Sequence, residues 1–279
     1  MFEFYKKGVK KVLSIGAHPD DADTSAGGLV MKLLEAGWDA RFVSVTNGCS
    51  GTYHADVPPE ELTLQRRAEA AASGRLFGEG IRYDLLHHTD GRLMPDLEAR
   101  EHLMRYIRRY SPDLIITNRP NDYHADHRNT SILVQDCSYL LTVPKLCEDT
   151  PAMEHMPVIL YWSDGFHNPP FRTDYIVPVT EEKVNLLAEH AACHECQYFD
   201  WMLWPDNLDR KKLPKEQLVE DLKARFRRSM ARQADEKRAE LVAKHGEAGN
   251  SVKYIEQYEL CEFGADMTEE IRSIIEKPE

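Results

Sequence analysis

Short apolar runs alternate along the chain with longer, mixed ones. Residues 11–17 (KVLSIGA), 40–46 (ARFVSVT), 81–86 (IRYDLL), 113–117 (DLIIT), 158–162 (VILYW) and 174–179 (DYIVPV) read as strands. Between them, residues 25–36 read as a helix that Gly37 closes. Pro58 and Pro59 open a second helix that runs to about Phe77, with Gly78 as its stop. Asp96 caps a third that ends near Tyr110, a fourth runs from about His127 to Leu141, and a fifth begins near Thr180. Strands alternating with helices of this length predict βαβ units. The expected fold class is therefore α/β, a Rossmann-like, mostly parallel sheet with helices on both faces. In such sheets ligands bind beyond the carboxyl ends of the strands.

The C-terminal third changes character. Residues 215–245 are strongly charged and helical in pattern, with Leu218, Leu222, Phe226 and Met230 four apart and Gly246 as the stop. The stripe predicts a helix docked on the main domain, its charges forming a solvated face. A partner helix is the alternative, and it leaves a homo-oligomer open. The expected division is residues 1–205 as the core domain and 206–279 as a C-terminal helical extension packed on it.

Composition narrows the function. The chain has 279 residues, 42% hydrophobic and 29% charged, as in a globular protein. A net charge of -12 argues against a nucleic-acid partner, which needs a basic footprint. The apolar runs are too short to span a membrane. The opening MFEFYKKGVKKV has no apolar segment of signal-peptide type, so a cytoplasmic location is expected. Six irregularly spaced cysteines read as reduced, mostly buried thiols. Cys193 and Cys196 form a C-x-x-C without a second such pair, which weakens a redox or structural zinc reading.

Two polar clusters follow apolar strands. One is HPDD, His18 to Asp21; the other is NRPNDYHADH, which contains His124, Asp126 and His127. Loops at one edge of a parallel sheet converge, and two imidazoles with one carboxylate suit a divalent transition metal with a position open to water. Of two adjacent carboxylates only one easily faces a metal, and the other is free to act as a base. Each cluster also has a plainer reading. HPDD could be a helix entrance capped by Asp20 or Asp21, and HADH an ordinary polar loop. Their joint placement at strand ends favours the metal site.

The sequence AHPDD, followed by an acidic residue and a Gly-Gly pair, resembles the LmbE-like/PIG-L family of metal-dependent N-acetylglucosaminyl deacetylases. VTNGCSGT, the pair Arg66 and Glu69, the run Asp90–Gly91–Leu93, PDLIITNRPNDYHADH and HECQY are similar to further family motifs, so the resemblance runs from about residue 10 to 200. It implies metal ligands His18, Asp21 and His127, holding Zn2+ or another divalent transition metal. It implies Asp20 as general base. It implies His124 as oxyanion stabiliser and acid to the leaving amine, oriented by Asp126; a carboxylate so near is itself expected to keep that ring charged to higher pH. Arg66, Asp90 and His194 would contact a small N-acetyl sugar substrate, with His190 as the alternative to His194. Cys49 and Asn47 stand where the family has a glutamate and a basic residue, and Cys196 replaces a serine. The implied activity is removal of the N-acetyl group from an N-acetylglucosamine-type sugar or glycoconjugate. Another metal-dependent amide hydrolase, a non-catalytic carbohydrate-binding protein and a two-histidine, one-carboxylate iron oxygenase are the rival readings.

Overall fold

The computed structural model describes residues 9–203 and 210–278. In chain order the principal elements are β1 (Lys11–Gly16), α1 (Asp21–Glu35), β2 (Asp39–Thr46), α2 (Pro59–Phe77), β3 (Arg82–His88), α3 (Leu97–Tyr110), β4 (Leu114–Thr117), α4 (Ala125–Cys137), β5 (Val158–Trp162), β6 (Tyr175–Val179), α5 (Glu181–Cys193), α6 (Lys215–Glu236), α7 (Arg238–His245), the one-turn α8 (Ala248–Ser251), β7 (Tyr254–Leu260) and α9 (Glu269–Glu276). The seven strands form one sheet in the order β3-β2-β1-β4-β5-β7-β6. The first five are parallel, and β7 lies antiparallel to both of its neighbours.

The strand residues explain why both faces are covered. Val12 of β1 packs on one face with Leu29 and Leu33 of α1 and Leu187 of α5. Leu13 and Ile15 pack on the other with Leu103 and Ile107 of α3 and Leu133 of α4. Strands apolar on both sides require helices on both sides. The exception in β1 is Ser14, whose hydroxyl donates to the carbonyl of Ala22 at 2.8 Å and so stays satisfied while buried.

The sequence pattern misplaces some boundaries. Helix α1 begins at Asp21, four residues before the apolar periodicity does, because DDADTS supplies its polar first turn. Asp96 and Thr180 cap α3 and α5 as read from the sequence, accepting from Ala99 N and Lys183 N. The stretch 215–245 is two helices, broken at Lys237. Leu222 packs against Ala188, Ala191 and Ala192 of α5, and Met230 joins the main core, so the stripe is buried within the chain. The expected boundary between residues 205 and 206 lies outside the described residues.

The C-terminal third is not purely helical, since it also supplies β7. The Glu256 carboxylate on that strand is buried and accepts from the backbone of Gly28 and Leu29 in α1, each at 2.8 Å, and from the Tyr258 hydroxyl at 2.7 Å. A Cβ at position 28 would lie 2.6 Å from Glu256 Oε1, so this approach requires glycine. No helix among the described residues is long and apolar enough to cross a membrane.

Candidate metal centre

The strand order reverses between β1 and β4, and a crevice opens there at the carboxyl ends. His18 and Asp20 lie between β1 and α1, and Asp21 opens α1. His124 is the N-cap of α4, and His127 lies in its first turn. The two polar clusters meet across this crevice. His18 Nδ1 lies 3.1 Å from His127 Nε2 and 3.6 Å from Asp21 Oδ2, and His127 Nε2 lies 3.5 Å from the same oxygen. A tetrahedral ion with ligands near ~2.1 Å spaces them about 3.4 Å apart. The three donors therefore fit a divalent metal without rearrangement. Their side chains are 13–16% exposed, so the open side is reachable from solvent.

Carboxylates hold the far side of each imidazole. His18 Nε2 faces Asp90 Oδ1 at 3.1 Å and Asp126 Oδ2 at 3.3 Å, and His127 Nδ1 faces Asp122 Oδ2 at 3.0 Å. A carboxylate behind a ligating histidine fixes its tautomer and raises its basicity. The sequence reading does not single out Asp122, although it stands five residues before His127. Its other oxygen accepts from His124 N at 2.8 Å, which also sets the loop before α4.

Asp20 and Asp21 are driven apart. Burial raises the Asp20 carboxyl above its ordinary range, opposed by Arg66 and aided by Asp21. Burial pushes the same way at Asp21, but there His127 and His18 outweigh it and hold the carboxyl well below the usual range. Neighbouring carboxylates with diverging pKa values are suited to different tasks.

Several sequence expectations need correction. Asp126 does not orient His124 through its carboxylate, which instead faces His18 and accepts from Gly91 N at 2.7 Å and Leu93 N at 3.2 Å. His124 is oriented by backbone: its Nδ1 accepts from Asp126 N at 3.1 Å. That bond requires the tautomer with hydrogen on Nε2. Burial, with His18 and His127 nearby, lowers the His124 pKa, so Asp126 does not keep this ring charged.

The three expected sugar contacts are engaged elsewhere. Arg66 is 2% exposed and donates to Pro19 O at 2.7 Å and Asp20 Oδ1 at 3.1 Å, so it positions Asp20. Asp90 braces His18 and accepts from Ser50 N at 3.1 Å. His194 has no exposed surface and pairs through Nε2 with Asp23 Oδ2 at 2.8 Å. His190 is equally buried, against Ser73 and Phe77, so both rings are enclosed by the protein. Behind Arg66, the Cys196 thiol donates to Glu69 Oε2 at 2.9 Å, and burial raises its pKa to about 12. All six cysteines are free in the structure.

Known proteins resemble the chain at two levels. The diacetylchitobiose deacetylase of Thermococcus kodakarensis is 33% identical over 128 residues, which are 45% of this chain and 48% of that one. The chain thus matches about half the length of this curated relative. Two solved structures share the fold more widely. The N,N'-diacetylchitobiose deacetylase of Pyrococcus horikoshii, complexed with its inhibitor MPG, aligns with a TM-score of 0.70 at 23% identity, covering 94% of this chain and 88% of that one. The 4-carboxy-2-hydroxymuconate hydratase of Pseudomonas putida aligns with 0.71 at 16%, covering 94% and 99%. One fold thus carries two reactions, and at these identities the likeness shows architecture alone. The PIG-L family model, described as GlcNAc-PI de-N-acetylase, matches residues 13–138, the span holding every residue of the crevice described here. That match covers a little under half of the chain.

Proposed function

We propose that the chain is a metal-dependent hydrolase that removes the N-acetyl group from an N-acetylglucosamine-type sugar or glycoconjugate, and that zinc is its ion. The observation that carries this reading is the triangle of His18, Asp21 and His127 beside a separate carboxylate, Asp20, held by Arg66. A divalent ion bound by the three ligands supplies Lewis acidity toward the amide carbonyl and toward water. Asp20 takes a proton from the attacking water while its carboxylate is held by Arg66. The Nε2–H of His124 donates to the oxygen that gains charge as the carbonyl is attacked. With its Nδ1 engaged and its pKa lowered by burial, His124 favours the neutral ring. The proton that Asp20 has taken is therefore the one delivered to the leaving nitrogen. Amide and water thus give the free amine and acetic acid, which then ionises to acetate. This assignment moves the acid role from His124, where the sequence resemblance put it, to Asp20.

The relative from Thermococcus makes diacetylchitobiose the first compound to test, followed by N-acetylglucosamine conjugates with inositol and malate. Acetate release from at least one of these by the zinc-loaded protein is expected. No release from any of them, with zinc, cobalt, nickel, manganese or iron, overturns the reading.

A further inference from the structure

A second group of imidazoles stands on the sheet's edge strand, outside the site described above. His87 and His88 end β3, and His102 lies on α3. The His87 ring is 4.3 Å from that of His102 and 4.9 Å from that of His88, centre to centre. His88 Nε2 lies 3.1 Å from His102 Nδ1. One nitrogen from each ring lies within 4.8 Å of the other two.

Adjacent residues of a strand ordinarily point to opposite faces. These two do not, because the register slips. Ser44 of β2 pairs with Leu85, but Thr46 pairs with His88, so Leu86 and His87 together oppose Val45. The extra residue breaks the alternation and brings both rings to His102. His87 and His88 line a cleft of about 280 Å3 together with Asp96 and Glu98. Burial and the neighbouring imidazoles lower His102 to about 4 and lower His88 as well, which leaves ring lone pairs available at neutral pH.

We propose that His87, His88 and His102 form a second site for a divalent first-row transition ion, with Asp96 or Glu98 on its open side. Imidazole-rich donor sets suit zinc, copper and nickel. His87 is exposed and the other two are half-buried, so the ion enters from solvent. The segment that follows includes Asp90 and Gly91, which contact His18 and Asp126. An ion at His87 and His88 therefore braces one wall of the first site without sharing a ligand with it.

The test compares zinc stoichiometry in the full-length protein, stripped by chelator, equilibrated with Zn(II) and measured by elemental analysis. Both His102→Ala and His87→Ala are expected to hold one ion fewer than wild type. The two changes lie on different elements, so a fold defect in one does not mimic the result in the other. His127→Ala reports the first site separately, so failure there leaves this comparison standing. In wild type, zinc is expected to shift the ring-nitrogen NMR signals of His87 and His102. Unchanged stoichiometry in both variants, or unshifted ring signals at saturating zinc, overturns the proposal.

Discussion

Asp20 and Asp21 share a peptide bond, yet their carboxylates meet opposite surroundings. Asp21 lies against two imidazoles, and Asp20 lies against Arg66 in a buried pocket. Asp21→Ala is therefore expected to lose metal by elemental analysis. Asp20→Asn is expected to keep it and to lose about two to four orders of magnitude in rate. The pH profile follows from the sign at Asp20. In the proposed role it is needed as the carboxylate, and burial raises its pKa, so turnover should rise with pH through a value above the ordinary carboxylate range. Arg66 opposes that shift, so Arg66→Gln should move the acidic limb to higher pH; an unmoved or lowered limb would contradict the pairing. His124→Ala should cost about two to three orders of magnitude, as for a lost oxyanion donor. It should leave the pH profile in place, because burial and the neighbouring imidazoles lower this ring's pKa. The sequence alone carried the donor types of the first site, since HPDD and HADH bring them to strand ends. It did not carry what stands behind them. The Asp126 backbone serving His124 while its carboxylate serves His18 is a consequence of the α4 cap geometry. The burial of Arg66 and His194 depends on how α2 and α5 pack.

At the scale of elements, legibility followed apolar contrast. Strands such as VILYW stand out because both their faces are buried. Strand β7 reads YIEQYEL and looks like a polar surface segment, because nothing local says that Glu256 and Gln257 are buried. Glu256 is satisfied only from a distance, by α1. Glu256→Leu should leave the Gly28 and Leu29 amides without that partner and destabilise the fold by about 2–5 kcal/mol, read from denaturant unfolding. Gly28→Ala forces a carbon against the same carboxylate and should cost about 1–3 kcal/mol. A change below ~0.5 kcal/mol in both would show that this contact is dispensable. The break at Lys237 was equally hidden, for ADEKR contains no glycine or proline to end a helix.

For the whole molecule, the position of β7 determines when the sheet can close. Strand β6 touches the rest of the sheet only through β7, which arrives much later in the chain. A ribosome that has released β6 has made a strand with no neighbour, while the flank of β5 is equally bare. Synthesis proceeds at about 5–20 residues per second, so this interval lasts seconds. Exposed strand edges invite pairing with other chains. Pro178 lacks a backbone donor and blunts β6 as a template during that wait. Nascent chains stalled before Tyr254 clears the exit tunnel should be cut by protease between residues 158 and 179, and full-length released chains should resist there. Birth of this protein is thus a problem of timing: its last strand is the wedge that locks the sheet, and any factor that shields the growing chain has to stay until that wedge is made.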